Sequence, residues 1–201
     1  MNKRLQQMAQ NREKLIAAGR EAFARHGFAN APMEELTAAA GLTRGALYHN
    51  FGDKRGLLAA VVNQIDQEMA AQAQNVAARH DDLWLRLLAE GEAYIEMALR
   101  PEVQRIVLLD GPAVLGDPSR WPSQNACLQA TRQSVRQLIQ EGIFRLVDVD
   151  AASRLLSGAA LNAALYVADS DDPAATLPKA IESFRAMAEG FLARRPSGTD
   201  P

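Results

Sequence analysis

The chain has 201 residues, 48% hydrophobic and 23% charged, with a net charge of −2 and a single cysteine. This is an ordinary globular composition, long enough for one large domain or a small module joined to a larger body, and it excludes disordered, collagen-like and disulfide-scaffold chains. A lone cysteine, Cys127, precludes an intrachain disulfide and reads as a small buried hydrophobe suited to a reducing cytoplasm. The longest charge-free apolar stretch, 155–168, has 14 residues, against the ~20 that a bilayer requires. The polar N-terminus lacks the apolar segment of a secretory signal, so a cytoplasmic protein with no membrane partner is expected.

The charge is divided unevenly. Residues 1–56 hold nine Lys or Arg against five acids, net +4, while the other 145 residues hold 13 bases against 19 acids, net −6. A basic end that meets a polyanion and an acidic body that does not is the simplest reading.

In chain order, the first helix is expected over 11–26, with Leu15, Ile16, Gly19, Ala22 and Phe23 on one face and Gly27 as its left-handed stop. Asn30-Ala31-Pro32 opens a second helix, with Asn30 as cap, Glu34 and Glu35 at the positive dipole end, and Met33, Leu36 and Ala40 as its inner stripe. Gly41 then breaks the pattern, and Thr43 caps a short third helix from Arg44 to Asn50. There Leu47 and Phe51 lie four apart and face inward, leaving Arg44, Gly45, Tyr48 and His49 open to a partner. Lys54 begins a fourth helix that runs to about Ala78. Later helices are expected near 82–99, 102–109, 123–142, 150–168 and 173–194, separated by Arg100-Pro101, Asp110-Gly111-Pro112, Gly116-Asp117-Pro118, 148–150 and 169–173. Residues 1–9 and 195–201 are expected to fray. The fold class is all-α: a three-helix head over 1–56, and a long helix leading into a larger helical body over 57–201, about nine helices in all.

Two helices about a glycine turn, the second short and polar outside, are the parts of a helix-turn-helix DNA reader. Gly45 lets the backbone approach a groove about 12 Å wide. Arg44 can bond a guanine edge or a phosphate, Tyr48 and His49 a phosphate or a thymine methyl group, and Lys54 a phosphate. The competing reading makes Tyr48 and Phe51 plain core aromatics of a small bundle. His26, His49 and His80 have no ligand spacing, and neither a nucleophile elbow nor a phosphate or dinucleotide loop occurs. No catalytic residue, metal or cofactor is therefore assigned.

The run Ala39-Ala40-Gly41-Leu42-Thr43-Arg44-Gly45-Ala46-Leu47-Tyr48-His49-Asn50-Phe51, followed by Asp53-Lys54 and Leu57-Leu58, resembles the DNA-binding signature of TetR-type transcriptional regulators over residues 11–62. The resemblance implies that Thr43, Arg44, Gly45, Tyr48, His49 and Lys54 stand at DNA. Two positions depart from the pattern. Ala31 replaces the usual threonine or serine and lacks a hydroxyl for phosphate, and Thr37 replaces a small apolar residue, either as a phosphate contact and DNA candidate or as a tolerated core-edge hydroxyl.

In the second half, 105–116 with Trp121 resembles an element found in one subgroup of these regulators. Asp110-Gly111-Pro112 reads as a helix stop that leaves an irregular segment where a pocket can open, with Trp84, Tyr94, Met97, Trp121, Phe144 and Tyr166 as candidate effector walls or, singly, core. The last two helices carry apolar faces, from which Leu156, Ala160, Ala163, Ala164, Val167, Ile181, Phe184 and Ala188 are taken as a dimer interface, as the resemblance implies. Packing within one subunit is the alternative for these faces. The function expected is that of a homodimeric repressor, bound to palindromic duplex operator DNA through residues 33–54 and released by a small-molecule effector. The alternative is a helical small-molecule-binding protein with a vestigial DNA head.

Overall fold

The computed structural model describes residues 3–193. Nine α-helices are present among them: α1 (Lys3–Asn30), α2 (Met33–Ala39), α3 (Arg44–Phe51), α4 (Lys54–Ala77), α5 (Leu83–Glu96), α6 (Gly111–Leu115), α7 (Pro122–Gln140), α8 (Val149–Ala168) and α9 (Pro173–Glu189). Side-chain caps set several of the starts. Thr43, Asp82, Asp148 and Asp172 each accept a hydrogen bond from the backbone N–H three residues on, which satisfies a donor that the helix itself leaves unpaired.

The chain forms two compact units, one from residues up to Gln67 together with Arg100–Trp121, the other from Glu68–Leu99 together with the residues from Pro122 onward. In the first, Leu15 and Phe23 of α1, Leu36 of α2, Leu47 of α3 and Leu57 and Leu58 of α4 form the core. Segment 100–121 packs on α1 and adds Val103, Ile106 and Val107 to it. The Arg20 guanidinium donates twice to the Glu102 carboxylate, at 2.6 and 2.8 Å, and this holds the Glu102 pKa below its usual range. Asp110 accepts from the Phe28 N–H at 2.7 Å, just past the bend in α1 at Gly27. Gly27 has φ 71°, a backbone conformation that favours glycine, and lies under the movable guanidinium of Arg105.

Three local expectations need correction. Residues 3–9 continue α1 instead of fraying, since Leu, Gln, Met, Lys and Arg are good helix formers and Gln7 bonds Asn11 one turn on. Asn30 does not cap α2; Pro32 occupies that position with no side-chain bond, because Ala31 N–H is already turned back to Gly27 O. Asp110-Gly111-Pro112 is not a stop either. Val103–Asp110 is π-helical, with the Gly111 N–H donating to Ile106 O five residues back, and the wider turns carry the chain past Pro112 into α6.

In the second unit, α5, α7, α8 and α9 pack around Leu87, Val135, Leu138, Phe144, Leu156 and Ala188. Phe144 stacks on Phe191 (5.7 Å between centroids) and meets Trp84 edge-on at 5.8 Å. The final helix ends at Glu189, short of the expected 194, because Phe191 turns in to cover Phe144. Its backbone then pairs antiparallel with 143–145 through Arg145 N–H to Phe191 O and Ala193 N–H to Ile143 O, both 2.9 Å. The expected frayed end at 195–201 lies outside the described residues.

Candidate nucleic-acid interface and effector cavity

Leu47 is fully buried and locks α3 onto the head, so the opposite face of this eight-residue helix is free to meet a partner. Arg44, Gly45, Tyr48 and His49 are all exposed there, Tyr48 at 48%. Thr43 is exposed as well; its Oγ1 accepts from the Ala46 N–H at 3.2 Å, and its own O–H stays available to a phosphate. Arg44 donates to Glu34 Oε1 at 2.8 Å, and the neighbouring Tyr48 and Glu34 push its already high pKa further up. This exposed ion pair orients the guanidinium and is weak enough to exchange for DNA.

Gly45 lies within α3, and a Cβ added to it would meet nothing nearer than Thr43 Oγ1 at 3.7 Å. The protein's own packing thus gives no reason for glycine, and a close-approaching partner does. Gly45→Ala is expected to leave the fold intact or stabilise it by ~0.5–1 kcal/mol while weakening duplex binding at least about tenfold through reduced groove access. Thermal melts and fluorescence anisotropy measure the two, and unaltered DNA affinity would remove Gly45 from the interface.

Lys54, at the start of α4, is half-buried. Its ammonium sits 4.9 Å over the Phe28 ring and 3.4 Å from Ala29 O, and burial lowers its pKa. Thr37 belongs elsewhere: it is only 4% exposed, and its hydroxyl donates to Met33 O and Glu34 O of its own helix, so it is withdrawn from the DNA-facing set. Ala31 is likewise buried. Arg12 of α1 also meets α3. It stacks 4.5 Å over the Phe51 ring and donates to Asn50 O at 3.2 Å, placing a cation at the C-terminal, negative end of α3. In the sequence, only its membership of the basic N-terminal segment signals it.

The candidate effector residues scatter. Tyr94 alone among the six lines a half-open cavity of the second unit, walled by α4, α5, α7, α8 and α9, whose roughly 590 Å³ of empty space includes open solvent and whose inner room for water-sized spheres is about 70 Å³. Trp84 and Phe144 are in the aromatic core, Met97 is buried in the turn after α5, and Tyr166 is exposed on α8. Trp121 packs on Gly111 in the first unit. No residue of 105–121 reaches the cavity, contrary to the expectation that this segment opens one.

The cavity wall is mostly apolar, from Ala70, Ala73, Leu87, Leu156, Ala160 and Phe184. Its polar groups are Glu90, a Tyr94–Gln124 pair (3.2 Å) and a chain from Ser157 Oγ to Thr131 Oγ1 to Cys127 O, both steps 3.1 Å. Burial pushes the Glu90 carboxyl above its ordinary pKa.

Most of the residues expected at a dimer interface are covered by their own chain. Leu156, Ala160, Ala164, Val167, Phe184 and Ala188 are buried, and Ala163 and Ile181 are half-buried. The uncovered apolar positions are Leu155 and Tyr166, each 60% exposed, with Met187; Ala159, Ala163, Tyr166 and Met187 line a groove on the outer face of α8 and α9.

Among the described residues no helix is long and apolar enough to cross a membrane, and no three His, Cys, Asp or Glu side chains gather in a metal-holding group.

Residues 15–61 match the model of bacterial regulatory proteins of the tetR family, and 84–191 match the tetracyclin repressor-like C-terminal domain. The transcriptional repressor AcnR of Corynebacterium glutamicum is 30% identical over 138 residues, covering 67% of this chain and 69% of that one. The repressor Rv1474c of Mycobacterium tuberculosis is 31% identical over 125 residues, 61% of this chain and 63% of its own. A crystal structure of a TetR-family regulator from Pectobacterium atrosepticum is 40% identical, with a TM-score of 0.87 over 96% of this chain and 99% of that one. With a helix-turn-helix head and a helical body both matched, this chain belongs to the TetR family of DNA-binding transcriptional regulators.

Proposed function

We propose that the chain is a homodimeric repressor that binds a two-fold symmetric operator through residues 33–54 and leaves it when a small molecule fills the cavity of the second unit. DNA reading is assigned to residues 1–56, and dimerisation and effector sensing to 57–201. The observation that carries the effector part is the cavity itself, a largely apolar space with a few convergent polar groups. The naming of AcnR and Rv1474c as repressors supports the sign of regulation. Partner subunits are assigned to the uncovered apolar stripe of α8 and α9, and two identical heads suit a palindromic site.

One helix bears on both functions, since α4 carries Lys54 at its start and Ala70 and Ala73 in the cavity wall. An effector that favours one tilt of α4 would change the separation of two recognition helices, and DNA fixes that separation by its helical repeat. Coupling of ~1–3 kcal/mol shifts affinity some 5- to 150-fold, and linkage makes operator DNA weaken effector binding by the same factor. Genomic fragments selected on the purified protein supply the operator. Titrations of ligands found by thermal shift, with and without that operator, then test the release, and equal ligand affinity in the two titrations excludes it.

A further inference from the structure

Two carboxylates of α5 stand in opposite circumstances. Glu92 is met by the Arg185 guanidinium of α9, whereas Glu90, lining the cavity, makes no hydrogen bond or ion pair among the described residues. The one cation a helical turn away on its own helix, Arg86, is committed elsewhere: its Nε and Nη2 both donate to His80 O beyond the end of α4, at 3.1 and 2.9 Å. The remaining polar groups of the wall bond one another. Glu90 also lines the groove beside the cavity, together with Arg86, Gln74 and Gln133, and so borders both spaces.

A half-buried carboxylate without a counter-charge is expensive to keep. It raises its own pKa, and an anionic guest would add repulsion to that cost. A cationic guest supplies what the fold leaves out.

We propose that the cavity takes an amphipathic cation, a protonated amine or quaternary ammonium group held by the Glu90 carboxylate with its apolar body between Leu87, Leu156 and Phe184. The proposal rests on reading this cavity as the effector site and names the chemistry of the effector.

Three probes with one apolar body test it: octyltrimethylammonium, octanol and octanoate, titrated calorimetrically into the full-length protein. The ammonium is expected to bind at least about tenfold more tightly than the alcohol, with octanoate weakest. Glu90→Gln should remove that preference and leave octanol affinity unchanged. Octanol or octanoate binding as tightly as the ammonium, or an undiminished ammonium affinity in Glu90→Gln, overturns the assignment. The wild-type comparison decides alone if Glu90→Gln fails to fold. Cys127→Trp, which fills the cavity from α7 and leaves Glu90 in place, should abolish both ammonium and octanol binding; persistent ammonium binding would put the cation elsewhere and refute the site. Release of labelled operator is read separately. Glu90-dependent ammonium binding without release supports the cation site and removes the effector role, whereas release by octanol or octanoate without ammonium preference keeps the effector role and removes the cation.

Discussion

Arg44→Ala is expected to weaken binding to the operator about 5- to 150-fold, ~1–3 kcal/mol, if the guanidinium bonds a base edge bidentately, as proposed for the reading helix. The fold should hardly notice. Arg44 is exposed, and its partners among the described residues are Glu34 and Tyr48 at the surface, so its removal should change stability by less than ~0.5 kcal/mol. The weakening should also depend on sequence, falling on duplexes that carry the matching base and sparing scrambled ones. Lys54→Ala provides the contrast: without its ammonium beside a phosphate, all duplexes bind more weakly to a similar degree and the salt slope falls by about one. Because Lys54 also packs over Phe28, some stability goes with it. Anisotropy titrations at several salt concentrations check both, and an unchanged operator affinity in Arg44→Ala would sink the assignment of α3 as the reading helix.

A charge on the outer stripe of α8 should have a larger effect still. Ala163→Glu or Tyr166→Glu appears twice in a two-fold interface, so like charges meet across it in a desolvated seam. Dissociation follows, and a single head forgoes the multivalent gain of two linked half-sites, at least about 100-fold in operator affinity. Phe184→Glu is a different experiment. The Phe184 ring lies on Gly91, where a Cβ would come within 2.4 Å, so a charge there breaks the core of its own unit and lowers the melting temperature. Sedimentation velocity separates the cases: a folded, half-mass species for the outer-stripe variants and an unfolded one for Phe184→Glu. Wild-type protein sedimenting as a monomer at micromolar concentration would remove the interface.

The exposed face of α3 was largely legible in the sequence because it depends on local rules. Thr43 as a cap, the turn at Gly41 and the four-residue spacing of Leu47 and Phe51 together fix which side of α3 is inward. The stripe on α8 was not legible, since that helix carries apolar residues on two faces. Leu155 and Leu156 are neighbours of identical chemistry, and only the packing of α5, α7 and α9 decides that one is covered and the other open. The importance of Glu90 was hidden for a related reason. A glutamate in a helix reads as solvated unless the fate of its neighbours is known, and Arg86 turning back to His80 O is a tertiary outcome. Likewise the run Ile106–Leu109 marks a buried helix without revealing its wider π turns.

The segment 100–121 has a consequence for modular exchange. It arrives late in the chain yet supplies Val103, Ile106 and Val107 to the core of the head, Glu102 to Arg20 and Asp110 to the Phe28 N–H just past the bend at Gly27. A chimeric regulator that joined residues 1–67 to a foreign body would strip this surface bare and take the Glu102 carboxylate away from Arg20. Grafts that carry the segment from the same parent keep the head whole, so the transplantable piece of this protein is a pair of fragments and not a prefix.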